Sequence, residues 1–417
     1  MPSAEAATDT TVRQSSAALQ SIETPEANSA RRLVSLDVFR GLTIAAMILV
    51  TDPGTYNAVY PQLLHAQWNG ITATDTIFPS FLFIVGVAIT LSFASRLQRG
   101  DSRSTLAGHV FRRSVVIFVL GLAVNGFPDY HWQTLRLPGI LQRIAVCYLF
   151  GALLYLLVFV DSRQNERSKA RTETAILASV TVAILACYCL LLKFVPVPGF
   201  GPGRLDSLGS LPAYIDRVVF GARHLWAYGI TPGAGVTYDP EGILSTLPAI
   251  ATVLIGILVG EWIRTRRSDR QKLVSLVLAG AVLLLAGWVL QPLLPINKRL
   301  WTSTFVLFTG GISILVFAFI YAIVDLRQSR WWNSPMLVFG TNAILAFLLS
   351  SLITSSLDHI HVAGGGAAIS LHKWLYRHVF ATWLAPIHAS LLYAIAIVLV
   401  NLVLVYPLYR KRIFLRV

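Results

Sequence analysis

The feature that most limits what this chain can fold into is its series of long apolar blocks. Many run for roughly 18 residues or more, enough for a helix to cross a hydrocarbon core. The blocks are continuous rather than alternating, which argues against a transmembrane strand barrel. Charged residues make up 13% of the chain, where a soluble protein carries about a quarter. The chain is expected to be all-α and polytopic, with about ten transmembrane helices in one bundle. Roughly, the spans fall at 36–52, 75–95, 110–125, 139–160, 173–194, 242–263, 273–291, 303–324, 335–356 and 383–407.

Charge sets the expected orientation. With the N-terminus inside, inner segments hold roughly 23 Lys and Arg and outer segments roughly 9, and positive charge collects on the cytoplasmic side. Both termini are therefore expected in the cytoplasm, in a multi-pass protein of the cell inner membrane. The formal charge of +14 is then mostly topological and suits an anionic inner leaflet. It gives no reason to expect a nucleic acid partner. Residues 1–32 are polar, without periodicity, and lack a signal core. They read as a disordered cytoplasmic tail, with the transmembrane domain over 33–417. The cysteines, Cys147, Cys187 and Cys189, lie inside apolar blocks and read as buried small hydrophobes. No internal repeat of the transporter kind is visible.

Polar groups at the mouths of spans are the candidates for function, because they are expensive at membrane depth. Residues 63–79 hold His65, Asn69, Asp75 and Pro79 between two apolar segments. The alternative there is a plain interfacial loop with Trp68 as a headgroup anchor. Asp37 and Arg40 are three apart, hence neighbours on one helical face; a structural ion pair explains them equally well. Gln142 and Arg143 stand about one turn inside span four. Asp239 and Glu241 precede span six, where the helix dipole alone favours acids. Lys298 lies on the expected outer side, against the charge bias. Asn342 falls within span nine, as interhelical glue or as a site residue. His359, His361, His372 and His378 surround a glycine run, but nothing completes a recognised metal spacing, so no metal is expected.

Several of these motifs together resemble heparan-α-glucosaminide N-acetyltransferase and its bacterial relatives. They are Ser35 to Gly41, Leu64 to Thr72, Asp75 to Pro79, Pro138 to Ala145, Tyr238 to Gly242, Asn297-Lys298 with Trp301, and Asn342. The resemblance runs from about residue 33 to the C-terminus. It implies a transmembrane acyltransferase fold and acetyl transfer from acetyl-CoA to the amino group of a terminal glucosamine. The family's active-site histidine carries over onto His65. A family asparagine at the end of the first span falls here at Thr51, or near Asp52. The task of that amide would then pass to Thr51, Asp52 or Asn69.

Transfer to an amine needs a base, a stabilised oxyanion and a departing thiolate. His65 suits the first, since an imidazole titrates near working pH; alternatively it attacks the thioester and carries the acetyl group itself. Asp75 is expected to orient His65 or to bind the sugar, with Asp37 and Arg40 as a supporting pair. Asn69, or backbone amides at a helix start, would meet the oxyanion. Arg143 and Lys298 are candidates for the phosphates of coenzyme A, and Asp239 and Glu241 for sugar hydroxyls. Gln142, Asn297, Trp301 and Asn342 complete the expected binding set. The expected partners are an amino-sugar or glycan acceptor, the bilayer and, as an option, a second copy of the chain. An amino-sugar permease without acyl transfer is the competing reading.

Overall fold

In the computed structural model, residues 33–159, 167–329, 333–364 and 367–414 are described. The tail expected over residues 1–32 lies outside them. The chain forms α1 (Val34–Thr51), α2 (Ile77–Gln98), α3 (Arg103–Gly126), α4 (Ile140–Val158) and α5 (Arg167–Phe194). A short helix, α6 (Leu211–Phe220), precedes α7 (Ile243–Arg264), α8 (Asp269–Val289) and α9 (Ser303–Tyr321). Then come α10 (Asn333–Thr341), α11 (Ala343–His359), α12 (Leu371–Leu375) and α13 (Pro386–Arg410). Among the described residues, nine helices are long and apolar enough to cross a membrane, or ten if α10 and α11 count as one bent span. The protein is an all-α, multi-pass membrane protein.

The ninth span differs from its expected form. It is not one helix over 335–356 but two, bent by 85° at Asn342. Asn342 adopts φ −125° and ψ 42° and hydrogen-bonds to the Ile413 carbonyl at 3.3 Å. The break is anchored from its N-terminal side. A Cβ on Gly340 would lie 1.9 Å from the Asp37 carbonyl oxygen, and one on Gly41 1.8 Å from that of Met336. α10 thus presses on the first turns of α1 through small residues, as membrane helices do where backbones approach.

The centre of the bundle is the crossing of α2 and α7, which bury more of their length than the helices around them. Here again glycines allow the approach. A Cβ on Gly86 would stand 2.0 Å from the Val253 oxygen, and one on Gly256 2.1 Å from that of Phe83. Gly256→Ala is expected to force the two helices apart and to cost about 1–3 kcal/mol, as overpacking does. Gly108→Ala on α3, where nothing lies within 4 Å, is the control. Melting in detergent should separate the two variants, and equal midpoints would show the crossing to be loose.

The outer helices keep apolar side chains exposed, as lipid contact requires. Phe111 and Val119 on α3, Val282 and Leu285 on α8, and Val403 on α13 are examples. Cys187 on α5 belongs to that surface. It is exposed, where sequence led us to expect a buried thiol, while Cys147 is buried as expected. A small apolar side chain gains as much from lipid as from a core.

The segment 195–241, rich in Gly and Pro, holds a short helix and a hairpin among its turns. Ser210 and Pro212 open α6, and proline suits a first turn because its missing N–H has no helical partner there. A hairpin, β1 (Ile230–Thr231) with β2 (Gly235–Val236), follows. The start of α6 is fixed by Leu211, which packs with Tyr188, Leu192, Val197 and Leu294. This cap lies at the end of the bundle where α1 finishes and α2 begins. Loops from four regions are stitched together there. The Trp68 indole donates to the Leu205 carbonyl at 2.8 Å. The Gly70 amide donates to Ile296 at 2.8 Å, and that of Leu137 to His224 at 3.0 Å.

Candidate functional site

The loop between α1 and α2 closes on itself before it meets any other element. Gln62 accepts from the Ala73 amide with its side chain at 3.1 Å and from the Thr74 hydroxyl with its carbonyl at 3.2 Å. The Thr72 hydroxyl reaches the Leu64 carbonyl at 2.6 Å. A short turn, Thr74–Thr76, then leads into α2, so Asp75 sits at a helix N-terminus, which favours its negative charge. The Asp75 side chain is almost fully buried at 1% exposure, and that of His65 is 42% exposed.

The two are joined at 2.7 Å, Nδ1 to Oδ1. The other carboxylate oxygen, Oδ2, accepts the Ala66 amide at 3.1 Å, the Thr72 amide at 3.0 Å and the Thr72 hydroxyl at 3.0 Å. With Oδ2 filled by donors, Oδ1 is left to take the Nδ1 proton. That fixes the tautomer: Nδ1 carries hydrogen and Nε2 presents its lone pair.

The loop 295–302 supplies the next shell. The Asn297 carbonyl accepts from the Thr302 amide at 3.1 Å, its side-chain oxygen from the Leu300 amide at 2.8 Å, and the Lys298 carbonyl from the Trp301 amide at 3.1 Å. Trp301 closes this turn at φ 52°, uncommon for a residue with a Cβ. The turn turns Asn297 and Lys298 toward the His65 loop. Asn297 Nδ2 donates to Asn69 Oδ1 at 3.0 Å. Lys298 Nζ lies 3.0 Å from His65 Nδ1, 3.1 Å from Nε2 and 3.9 Å from Asp75 Oδ1.

Burial is the largest influence on His65 and lowers its pKa; Lys298 and Arg299 push the same way, against the Asp75 hydrogen bond and charge. The partial exposure of the ring moderates burial but leaves the two cations in place. Lys298 is itself pushed down to about 8, chiefly by burial, while Asp75 and Glu241 favour its charge.

Beside this cluster stands a second one, built on Arg136. Its Nε and Nη2 pair with both oxygens of Asp239 at 2.9 and 2.7 Å, and Nη2 also reaches Glu241 at 2.6 Å. Burial works against the guanidinium charge, but Asp239 and Glu241 outweigh it and raise its pKa. Asp239 accepts the Trp226 and Glu241 amides as well, so its oxygens are filled. Glu241 meets the same opposition from burial. Arg136, Arg143 and Lys298 together still hold its carboxyl below the ordinary range. Arg143, in the first turn of α4, donates to the Gly242 carbonyl at 3.1 Å and to the Ser245 hydroxyl. Its guanidinium lies 4.9 Å over the Trp301 ring.

The expected site residues therefore divide. His65, Asp75, Asn69, Asn297 and Lys298 come together, with Glu241, Asp239, Arg143 and Trp301 behind them. Asp37 and Arg40 do not join them. They pair with each other at 3.2 Å in the first turns of α1, about 20 Å along the helix from Thr51 at 1.5 Å per residue. That spacing places the pair at the other end of α1 from the loop that holds Asp75. Arg40 instead reaches the Gly340 carbonyl at 3.3 Å and ties α1 to α10. Asn342 lies with them, at the break after α10.

Gln142 lines a cavity of about 270 Å³, together with Thr51, Asp52, Asn125, Arg136 and Ser350. Thr51 spends its hydroxyl on its own helix, on the Met47 carbonyl at 2.8 Å. Asp52 accepts from Ser350 at 2.6 Å and Thr354 at 2.9 Å. Of the three candidates for the missing amide's task, only Asn69 lies in the His65 cluster. Sequence reasoning passed over Arg136, Thr72 and Arg299. Arg136 carried the same signal as Lys298, a cation in a loop on the sparsely charged side. Arg299, which donates to the Tyr238 hydroxyl at 2.8 Å, carried it too. Among the described residues no three His, Cys, Asp or Glu side chains gather as a metal would need.

Residues 32–165 match the family model described as heparan-alpha-glucosaminide N-acetyltransferase, catalytic. That interval holds His65, Asn69, Asp75, Arg136 and Arg143. The chain is 31% identical over 355 residues to heparan-alpha-glucosaminide N-acetyltransferase of Mus musculus, covering 77% of this chain and 53% of that protein. Against the protein of that name from Homo sapiens it is 31% identical over 351 residues, covering 76% and 52%. The chain thus spans about half the length of the curated relatives it matches.

Proposed function

We propose that the chain, which matches the heparan-alpha-glucosaminide N-acetyltransferase catalytic family model over residues 32–165, transfers an acetyl group from acetyl-CoA to the amino group of a glucosamine-type sugar. The observation that carries this reading is the state of His65. Asp75 engages Nδ1 and fixes the tautomer, so Nε2 is left as a base or nucleophile at an accessible ring. Orientation of an imidazole by a buried carboxylate is how a histidine is prepared for acyl transfer.

The acceptor amine loses a proton to Nε2 and attacks the thioester carbon. In the covalent variant, Nε2 attacks first and the amine then takes the acetyl group. Glu241 has Oε1 to offer a sugar hydroxyl, whereas Asp239 serves through Arg136. The cavity beside Arg136 has the volume for a single sugar ring or an acyl tip, and is small for a drug-sized ligand. Donor phosphates therefore bind elsewhere, among the cations at the bundle ends. The bias of Lys and Arg toward one set of loops supports a donor on the cytoplasmic side of an inner membrane and an acceptor opposite.

The test is acetylation in proteoliposomes given acetyl-CoA and, in turn, glucosamine, glucosamine-terminated oligosaccharides and muropeptide fragments. Release of the CoA thiol together with an acetylated sugar is expected. Sugar uptake without either product would replace this reading with a permease.

The pH dependence has a definite sign. The working form is neutral His65, so turnover is full above its pKa and is lost as pH falls through it. Since that pKa is lowered, the acid half-point should lie below the ordinary imidazole value of about 6.5. A half-point above that value in the kcat/KM profile would contradict the arrangement described.

A further inference from the structure

We propose that Lys298 is a catalytic residue whose ammonium, standing over one face of the His65 ring, stabilises the negative charge that gathers on the thioester oxygen during attack. This rests on the acetyl-transfer reading and goes beyond it.

The position of the ammonium follows from two distances. Nζ is 3.0 Å from Nδ1 and 3.1 Å from Nε2. The two ring nitrogens flank Cε1, so a point nearly equidistant from both cannot lie in the ring plane without overlapping that carbon. Nζ therefore lies out of the plane, over the face. Two consequences follow. The Nε2 lone pair lies in the plane, so the ammonium does not sit on its axis. A positive charge at this distance also opposes protonation of the ring.

A carbonyl carbon approached along the Nε2 lone pair, directly or through the amine, carries its oxygen off the ring plane. An oxygen on the ammonium's side meets a donor already in place. The Lys298 side chain is only 14% exposed, and charge stabilisation is stronger where water is excluded. Its backbone is held by the turn that Asn297 and Thr302 close, so little reorganisation is needed. Asp75 at 3.9 Å helps keep the ammonium charged.

The step balances without a further reactant. The amine gives a proton to His65 Nε2 and forms the C–N bond. The carbonyl π pair moves to oxygen, facing Lys298. That pair returns as the C–S bond breaks, and the thiolate leaves and takes the proton from His65. In the covalent variant the same oxygen gains charge twice, once on forming and once on emptying the acyl-histidine. Lys298 forms no covalent bond in either case. The charged and titratable groups facing this pair are Asp75, Glu241, Arg143 and Arg299.

A role as phosphate ligand, expected for Lys298 from sequence, makes a different prediction. The experiment uses two donors, acetyl-CoA and S-acetyl-N-acetylcysteamine, which keeps the thioester and lacks every phosphate. Lys298→Met should lower kcat about 100-fold with both donors and change KM little. A defect confined to KM for acetyl-CoA, absent with the short donor, would overturn the proposal in favour of a phosphate anchor.

Lys298→Arg supplies a second readout and guards against misfolding of the methionine variant. It should keep part of the rate and lose the alkaline fall expected near pH 8 as the wild-type ammonium deprotonates. An unchanged alkaline limb would also overturn the proposal. Failure of the acetyl-transfer reading is distinct: the wild type would then acetylate nothing from either donor.

Discussion

His65→Ala is expected to lower acetyl transfer by about 10³-fold or more while the chain still folds. Folding should survive because the loop around His65 does not depend on the imidazole. Gln62, Leu64 and Thr72 close the loop, and Asp75 keeps three donors on Oδ2 when the ring is gone. Lys298, already 3.9 Å from Asp75, is free to settle onto Oδ1. The chemistry has no substitute. Asn69 lies close, but an amide is neither base nor acyl carrier at neutral pH. The variant should therefore melt near the wild-type temperature in detergent and release no CoA thiol above background. It also separates the two roles of the ring. Exposure of the wild type to acetyl-CoA alone, followed by acid quench and mass analysis, leaves an acetyl group on the peptide containing His65 only if the ring is a carrier. Added imidazole restores part of the activity of the alanine variant if the ring is only a base. Full turnover in His65→Ala would remove the imidazole from the reaction altogether.

The bundle was legible because membrane helices announce themselves by length and apolar content. Nine of the ten expected spans have a single helix as counterpart among the described residues, and the boundaries fall within several residues of those expected. The bend at Asn342 was not legible. Apolar content hardly changes across it, and the cause is remote: Gly340 packs on the Asp37 backbone, 303 positions earlier. The same holds for the helix hidden in 195–241, where hydropathy is mixed and only the Ser210 and Pro212 signals mark α6.

The His65 cluster was partly legible. Residue types and charge bias picked out His65, Asp75, Asn69 and Lys298, because polar groups near a membrane carry information. Their partners were not legible. Thr72 matters through a backbone amide, which every residue but proline owns. Arg136 and Arg299 looked like ordinary loop cations until the fold set them against Asp239, Glu241 and Tyr238. Asp37 with Arg40 illustrates the converse. Their helical spacing was read correctly as a pair, but spacing along one helix says nothing about which end of the bundle it serves.

Asp75→Asn should be nearly as damaging as loss of the imidazole, by about 10²–10⁴-fold in kcat, although it changes one atom. The reason lies in how the carboxylate is divided. Oδ2 accepts three hydrogen bonds, from the Ala66 amide, the Thr72 amide and the Thr72 hydroxyl. An asparagine must give its single oxygen to that side, because its NH₂ group there would face two backbone donors. Two buried donors opposed to a third would cost about 1–3 kcal/mol for each group left unsatisfied. The NH₂ group therefore replaces Oδ1 and points at His65 Nδ1. A donor at that position requires a lone pair on Nδ1, so the proton moves to Nε2. The ring keeps its place, but the nitrogen that should take a proton or attack carbon now carries hydrogen. In a serine protease the corresponding exchange drops kcat about 10⁴-fold with the geometry intact. The comparison is with that mechanism's logic, and the site here is more exposed, which widens the range. Asp75→Glu makes a useful companion. It retains both acceptors but displaces the ring by one methylene, so a moderate loss is expected. An Asp75→Asn variant with wild-type kcat would show that Nε2 does not act in the tautomer fixed by Asp75, and would shift the search for the base to another residue.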